Sequence, residues 1–259
     1  MLLNFIVLVL RETLEASILI SLMLVISIHR GLHLRWVFLA LPLGLLGALA
    51  YAACLPLISE WFDYAGQEVS GATLQFLIYI LVLLLFFNLR VHRSNSTNPQ
   101  LVWLMIAVVA VAVIREGSEL VIFFSGFLQG GGYWLNAATS GMIGLAIGMS
   151  TGALCYYLLL SCKSTTSLWI CSLLLCLVVA GMVMQGTQLL MQADWLASRP
   201  ALWDSNWLLA ESSIAGQTAY AIFGYEATPS ATELASYLFA MLLLCGPLLV
   251  RQFKYREQF

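Results

Sequence analysis

The chain has 259 residues, with 11 Lys and Arg against 13 Asp and Glu, a formal charge of −2. Hydrophobic residues make up 61% of it and charged residues 9%, with a mean hydropathy of +0.93, whereas roughly a quarter of a soluble domain is charged. So much apolar surface excludes an ordinary water-soluble enzyme, a disordered chain and a nucleic-acid binder, and the near-balanced charge calls for no polyanionic partner.

Window hydropathy predicts seven apolar helices, at 3–28, 36–58, 71–92, 101–128, 138–162, 168–192 and 233–250. Each is close to the ~20 residues that one membrane crossing needs. Backbone polar groups in lipid must be satisfied within the segment, and no barrel-like alternation is present, so the expected fold class is all-α. The expected architecture is a polytopic membrane protein with seven transmembrane helices in a single domain, 1–259. The first segment carries Arg11, Glu12 and Glu15 in its middle and has no basic stretch ahead of it, so it reads as a retained helix rather than a signal peptide. The connections are short except for 193–232, which holds Pro200, Pro229, four acidic residues and many aromatics, and is expected to form short surface or re-entrant helices. The six cysteines form no CxxC pair and lie in or beside apolar runs, where they read as small packing residues.

Basic residues set the orientation. One side of a seven-span arrangement collects Arg30, Arg35, Arg90, Arg93, Lys163, Arg251, Lys254 and Arg256, and the other only Arg199. Basic loops stay in the cytoplasm, so the expectation is a multi-pass protein of the cell (cytoplasmic) membrane with its N-terminus outside and its C-terminus inside. Glu60, Asp63, Glu68, Asp194, Asp204, Glu211, Glu226 and Glu233 fall on or near the outer side, and Glu257 on the inner side. An acidic outer face would concentrate cations there.

The chain contains itself twice. Arg11-Glu12-Thr13-Leu14-Glu15 in the first segment is matched by Arg115-Glu116-Gly117-Ser118-Glu119 in the fourth, at an offset of 104. Gly47-Ala48-Leu49-Ala50-Tyr51 in the second is matched by Gly152-Ala153-Leu154-Cys155-Tyr156 in the fifth, at an offset of 105. A unit with an odd number of crossings, repeated once, must lie upside down in its second copy. The expectation is an inverted 3+3 repeat over about 1–92 and 101–192, the outer loop 193–232, and a last helix 233–250 outside the repeat.

Both duplicated charge motifs lie well inside the apolar segments, where each charge costs at least ~2.5–3.5 kcal/mol unless it faces a partner or water. Arg and the second Glu are i and i+4, close enough for an ion pair, and the two Glu are i and i+3, on one helix face. Two antiparallel helices would therefore gather Glu12, Glu15, Glu116 and Glu119 with Arg11 and Arg115, for a formal sum of −2. Clustered carboxylate oxygens are hard ligands that suit hard or borderline cations. The four Glu are the candidate metal ligands, and the two Arg would orient the carboxylates. Gln185, Gln188 and Gln192 form one stripe on the sixth segment, either lining a path (Gln185 and Gln188 foremost) or hydrogen bonding between helices. Gly141, Gly144, Gly148 and Gly152 form a small-residue stripe for helix packing.

At these residues the sequence resembles the oxidase-dependent iron transporter family, which comprises fungal high-affinity iron permeases and bacterial EfeU-type permeases. Its members carry Arg-Glu-x-x-Glu in helices 1 and 4 of seven, and both copies are complete here. The stretch from Trp203-Asp204 through Phe223-Gly224-Tyr225 to Pro229-Ser230 is also similar. The family usually shows Glu-x-x-Glu-Gly at the start of helix 3. Here Glu68 fits the first position and Gly71 stands at the second, so the expectation is an outer vestibule that either binds metal more weakly or uses Asp63 or Gln67 instead. The connection from Ser94 to Gln100 is short for the bacterial branch. The resemblance implies a high-affinity iron permease, not an enzyme, with Glu68 as an additional outer metal ligand. It also implies iron, ferric or ferrous, as transported substrate with no permanently bound cofactor, and an extracytoplasmic iron oxidase or iron-delivery protein as partner. A carrier of another divalent cation, such as manganese or lead, is the nearest alternative. An intramembrane enzyme acting on lipid phosphates, with Arg11 and Arg115 as anion clamps, is a more distant one.

Overall fold

A computed structural model describes residues 2–91, 99–129 and 134–256. They form α1 (Leu2–His29), α2 (Val37–Ser59, entered through a 3-10 turn at Leu34–Trp36), α3 (Gly66–Val91), α4 (Pro99–Gln129), α5 (Trp134–Ser161), α6 (Ser164–Gln192), α7 (Ile214–Phe223) and α8 (Ala231–Arg256). Among the described residues there is no β-strand, only an isolated bridge between Ala201 and Ser230. Most of the 3–4 connection and Glu257 lie outside the described residues, as do the side chains of Arg90, Arg93, Arg251, Lys254 and Arg256.

Each apolar segment becomes a helix, and the long loop contributes the short α7. The helix α3 starts earlier than hydropathy suggests because its first turn, Gly66–Ser70, is polar. Glu68 sits in that turn, where a carboxylate is favoured by the helix dipole. By length and composition, five helices among the described residues can cross a membrane, namely Leu34–Ser59, Gly66–Leu89, Pro99–Gly126, Ala138–Ser161 and Ser164–Gln192, with a shorter apolar stretch at Ala231–Gly246. The helix α1 is not among these five; its 28 residues carry Arg11, Glu12 and Glu15.

The packing is organised around α1, α4 and α6. The helix α1 lies along α5, α2 along α4, and α3 against α6, while α1 also meets α4 and α6. Of the apolar windows of α4 and α6, 61% is buried, against 17% for α2 and 22% for α5, so α2 and α5 form the periphery. Their exposed faces carry Phe38, Leu45 and Leu46 on α2 and Met142, Met149 and Leu154 on α5.

Glycine sets how closely the periphery approaches the centre. A Cβ on Gly148 of α5 would stand 2.7 Å from Thr13 Cβ, and one on Gly152 would stand 2.6 Å from Ser17 Cβ. The backbones are close enough that Ser17 Oγ donates to the Gly148 carbonyl (2.9 Å) and Ser21 Oγ to the Gly152 carbonyl (2.8 Å). On the other side, a Cβ on Gly44 of α2 would meet Val113 Cβ of α4 at 2.7 Å. The stripe on α5 thus packs against α1 as its spacing suggests, except that Gly141 faces Phe124.

The loop after α6 folds back onto the bundle. Ser213 caps α7 by accepting from the Gly216 N–H (3.0 Å), and Gly224, at φ +63°, ends it. Gly224 lies against Gly181 of α6: a Cβ on Gly224 would collide with the Gly181 backbone at 2.6 Å, and one on Gly181 would stand 3.0 Å from Gly224 Cα. At the start of α8, the Ser230 N–H donates to Glu233 Oε2 (2.7 Å) and the Glu233 N–H to Ser230 Oγ (3.3 Å), a reciprocal capping box. Glu233, one of the acids expected on the outer side, therefore caps a helix.

Candidate metal site

The two Arg-Glu-x-x-Glu motifs face each other where α1 meets α4. Helical spacing produces the expected i, i+4 pairs: Arg11 Nε is 3.5 Å from Glu15 Oε1, and Arg115 Nη1 is 2.6 Å from Glu119 Oε1. Arg115 Nη1 also lies 3.2 Å from Glu116 Oε2 and, across the helix interface, 3.6 Å from Glu12 Oε2. Arg11 Nε is 3.8 Å from Glu12 Oε1. Glu12 and Glu116 are buried, at 2% and 1% exposure.

Three of the four carboxylates form one group. Oxygens of Glu12, Glu116 and Glu119 all lie within 4.8 Å of one another. The Glu119 side chain is 40% exposed, which gives the group an open edge. Glu116 Oε1 is buried without a hydrogen-bond partner. Three carboxylates with one guanidinium among them keep an excess of negative charge and of oxygen lone pairs, the donor set of a hard cation.

Glu15 lies outside that group. Gln185 Nε2 of α6 donates to both of its oxygens, at 3.1 and 3.2 Å. Gln185 Oε1 in turn accepts from Gln75 Nε2 of α3, at 2.6 Å. Of the glutamine stripe, Gln185 therefore reaches the motif, Gln188 Nε2 donates to Glu226 Oε1 at 3.3 Å, and Gln192 is exposed.

Arg11 borders a second space. Its Nη2 donates to Tyr220 OH of α7 (2.7 Å), and its guanidinium carbon lies 4.0 Å from the centre of that ring. A cavity of about 120 Å³ opens there, lined by Arg11, Gln188, Glu211, Gln217, Tyr220 and Glu226. Burial pushes the Tyr220 phenol above its ordinary value. Burial, then the charges of Glu233 and Glu211, push the Glu226 carboxyl up to about 7, against an opposing pull from Arg11. Glu211 is committed elsewhere in part, since its Oε1 accepts from the Ala227 N–H (2.6 Å).

Glu68 also stands outside the three-carboxylate group, in the first turn of α3, with Oε2 buried and unpartnered. A side chain at Gly71 would meet Leu189 Cδ1 of α6 at 3.2 Å. Gln67 is exposed, and Asp63 sits in an exposed turn at φ +59°.

Sequence reasoning missed Gln75 and Tyr220. Gln75 carries a readable signal, as the one glutamine in the apolar run 71–92. Tyr220 carries none, being one of 10 tyrosines in a chain rich in aromatics.

Comparison with known proteins establishes the family. The sequence matches the description "Iron permease FTR1 family" over residues 1–256. The chain belongs to that family. It is 28% identical over 255 residues to the ferrous iron permease EfeU of Escherichia coli O6:H1, with 90% of each chain covered. It is 28% identical over 254 residues, again with 90% of each chain covered, to the proteins of that name from Escherichia coli O157:H7 and Shigella sonnei. No solved structure matches. The permease is thus a multi-helix transporter of iron rather than an enzyme, and its doubled charge motif lies at the helix crossing just described.

Proposed function

We propose that this permease imports iron across the cytoplasmic membrane by passing the ion through the Glu12–Glu116–Glu119 group. The observation that carries the reading is the convergence of three carboxylates from α1 and α4 within 4.8 Å, in the middle of long apolar helices. Arg115 orients all three, and Arg11 orients Glu12 and Glu15. Glu68 belongs to an approach site at the start of α3, and Gln188 to the wall of the cavity beside Arg11. Without a second carboxylate at position 71, that approach site relies on Glu68 alone.

The membrane arrangement follows the charge asymmetry of the loops: seven crossings, N-terminus outside and C-terminus in the cytoplasm. The α7 cavity then faces outward, with Glu119 on the accessible edge of the carboxylate group. An inverted repeat is supported by the packing, because α1 against α5 in one direction answers to α4 against α2 in the other. Iron would be delivered to the outer face by an oxidase or an iron-delivery protein.

The geometry also bears on the alternatives. Hard oxygen donors would accept manganese as well as iron, so ion choice is a matter for competition measurements. An anion clamp needs guanidiniums free to take phosphate, whereas Arg115 is committed to three carboxylates and Arg11 to two carboxylates and Tyr220. The test is uptake of radiolabelled iron into proteoliposomes, with ferrous and ferric iron compared and with manganese, lead and a phospholipid-phosphate substrate as competitors. Saturable iron uptake, lost in Glu12→Gln and Glu116→Gln, supports the reading. Uptake that survives both substitutions contradicts it.

A further inference from the structure

Gln75 is fully buried in α3, and its amide is hydrogen bonded to Gln185 of α6. An ionised carboxylate only accepts hydrogen bonds, so Gln185 must turn its NH2 toward Glu15, and does so to both oxygens. That places Gln185 Oε1 away from Glu15, where it is met by the Gln75 NH2 at 2.6 Å. The remaining atom, Gln75 Oε1, is buried with no partner. A buried acceptor without a donor is costly, and an apolar side chain of the same length would remove that cost. The amide is in place for its donor end. The chain Gln75–Gln185–Glu15 has one polarity, fixed by the carboxylate, and spans α3, α6 and α1.

Its consequence is where Glu15 stands. Glu15 is the repeat counterpart of Glu119, which joins the three-carboxylate group, whereas Glu15 is drawn out of it toward α6. We propose that Gln75 is a positioning residue: through Gln185 it holds Glu15 as a separate carboxylate station, one helical turn further along α1, that receives the ion leaving the Glu12–Glu116–Glu119 group. This inference rests on the reading of that group as the translocation site. With the Gln75 donor gone, Gln185 Oε1 is left buried without a partner, and the amide is no longer held in line between α3 and α1, so its grip on Glu15 weakens. Glu15 is then free to swing toward Arg11 and the other three carboxylates. A four-carboxylate site captures the ion as well as before, or better, and releases it more slowly.

The test is iron uptake by the full chain in proteoliposomes, with iron binding to the same purified protein measured alongside. In Gln75→Met, Vmax is expected to fall by about tenfold, at the upper end for the loss of one buried amide–amide hydrogen bond, while KM and the iron-binding constant stay the same or tighten. The double variant Gln75→Met/Gln185→Met is expected to be no slower than Gln185→Met alone, because the first residue acts only through the second. Should Gln75→Met fail to reach the membrane, Gly186→Ala applies the same test. A Cβ there would stand 3.2 Å from Gln75 Oε1 and crowd the amide without removing any polar group, and a smaller loss of Vmax at unchanged KM is expected. Unchanged Vmax, a raised KM with weakened binding, or additive losses in the double variant would each overturn the proposal. Glu12→Gln and Glu116→Gln, measured in parallel, separate its failure from that of the site itself: if they lose iron binding while Gln75→Met transports normally, only the positioning role is wrong.

Discussion

Arg115 Nη1 of α4 reaches Glu12 Oε2 of α1 at 3.6 Å, and this contact joins the two copies of the charge motif across the helix interface. The same nitrogen touches Glu116 and Glu119. One guanidinium thus holds three like charges at a spacing they would not keep alone.

From that arrangement, Arg115→Lys should insert normally and lose most iron uptake and saturable iron binding. Lysine keeps the charge but lacks the planar fork that engages more than one carboxylate at once. Arg11→Lys should be less severe, because Arg11 is 27% exposed and contacts only Glu12 and Glu15 among the carboxylates. Iron binding to the two purified variants checks the ranking. Equal loss in both, or undiminished binding in Arg115→Lys, would contradict it.

Tyr220 gives Arg11 an anchor on α7. Tyr220→Phe keeps the ring beneath the guanidinium and removes the 2.7 Å hydrogen bond. A net hydrogen bond to a charged group is worth about 1.5–3 kcal/mol, so a reduction in uptake of roughly ten- to hundredfold bounds the effect, with the low end expected because the ring contact survives. Tyr220→Leu removes both and should be worse. Uptake kinetics at matched membrane abundance provide the check.

Uptake should depend on pH through the cavity beside Arg11. The Glu226 carboxyl is raised to about 7 by burial and by Glu233 and Glu211, with Arg11 opposing. It is therefore charged above neutrality and becomes neutral as the pH falls below 7, which makes the cavity less attractive to a cation. KM for iron should rise as the medium is taken from about pH 8 to about pH 6. Glu226→Gln should show a high KM at both ends and a flatter profile. A wild-type profile in that variant would remove Glu226 from the account.

Gly148→Val tests the close approach of α5 to α1. Its Cβ would stand 2.7 Å from Thr13 Cβ, beside the motif itself. Overpacking of this kind typically costs about 1–3 kcal/mol. A lower melting temperature in detergent and reduced uptake are expected, while Gly126→Val, with open space around its Cβ, should be close to neutral.

The helices were legible in the sequence because lipid allows few other ways to satisfy a backbone, and the glycine stripe of α5 was legible as a packing face, though not which helix it meets. The meeting of Glu12 and Glu116 was legible from the duplicated motif. What the motif does not reveal is that its two copies are treated differently. Glu119 stays in the group at a partly open edge, while Glu15 is drawn aside by Gln185. That difference comes from α6 and α3, whose similarity to each other is too faint in sequence to align. Tyr220 was hidden for a related reason: a short helix in a long loop carries no hydropathy signal, and α7 is placed by the Gly181–Gly224 approach rather than by any local pattern.

The central claim is that Glu12, Glu116 and Glu119 bind the transported ion together. The most direct measurement is iron binding to the purified permease in detergent, comparing wild type with Glu12→Gln, Glu116→Gln and Glu119→Gln, because an amide oxygen is a far poorer ligand for a hard cation than a carboxylate. One saturable site in the wild type, with affinity lowered by at least about tenfold in each single variant, is the predicted result. Wild-type affinity in all three would show that the group only locks α1 to α4, and that iron passes elsewhere.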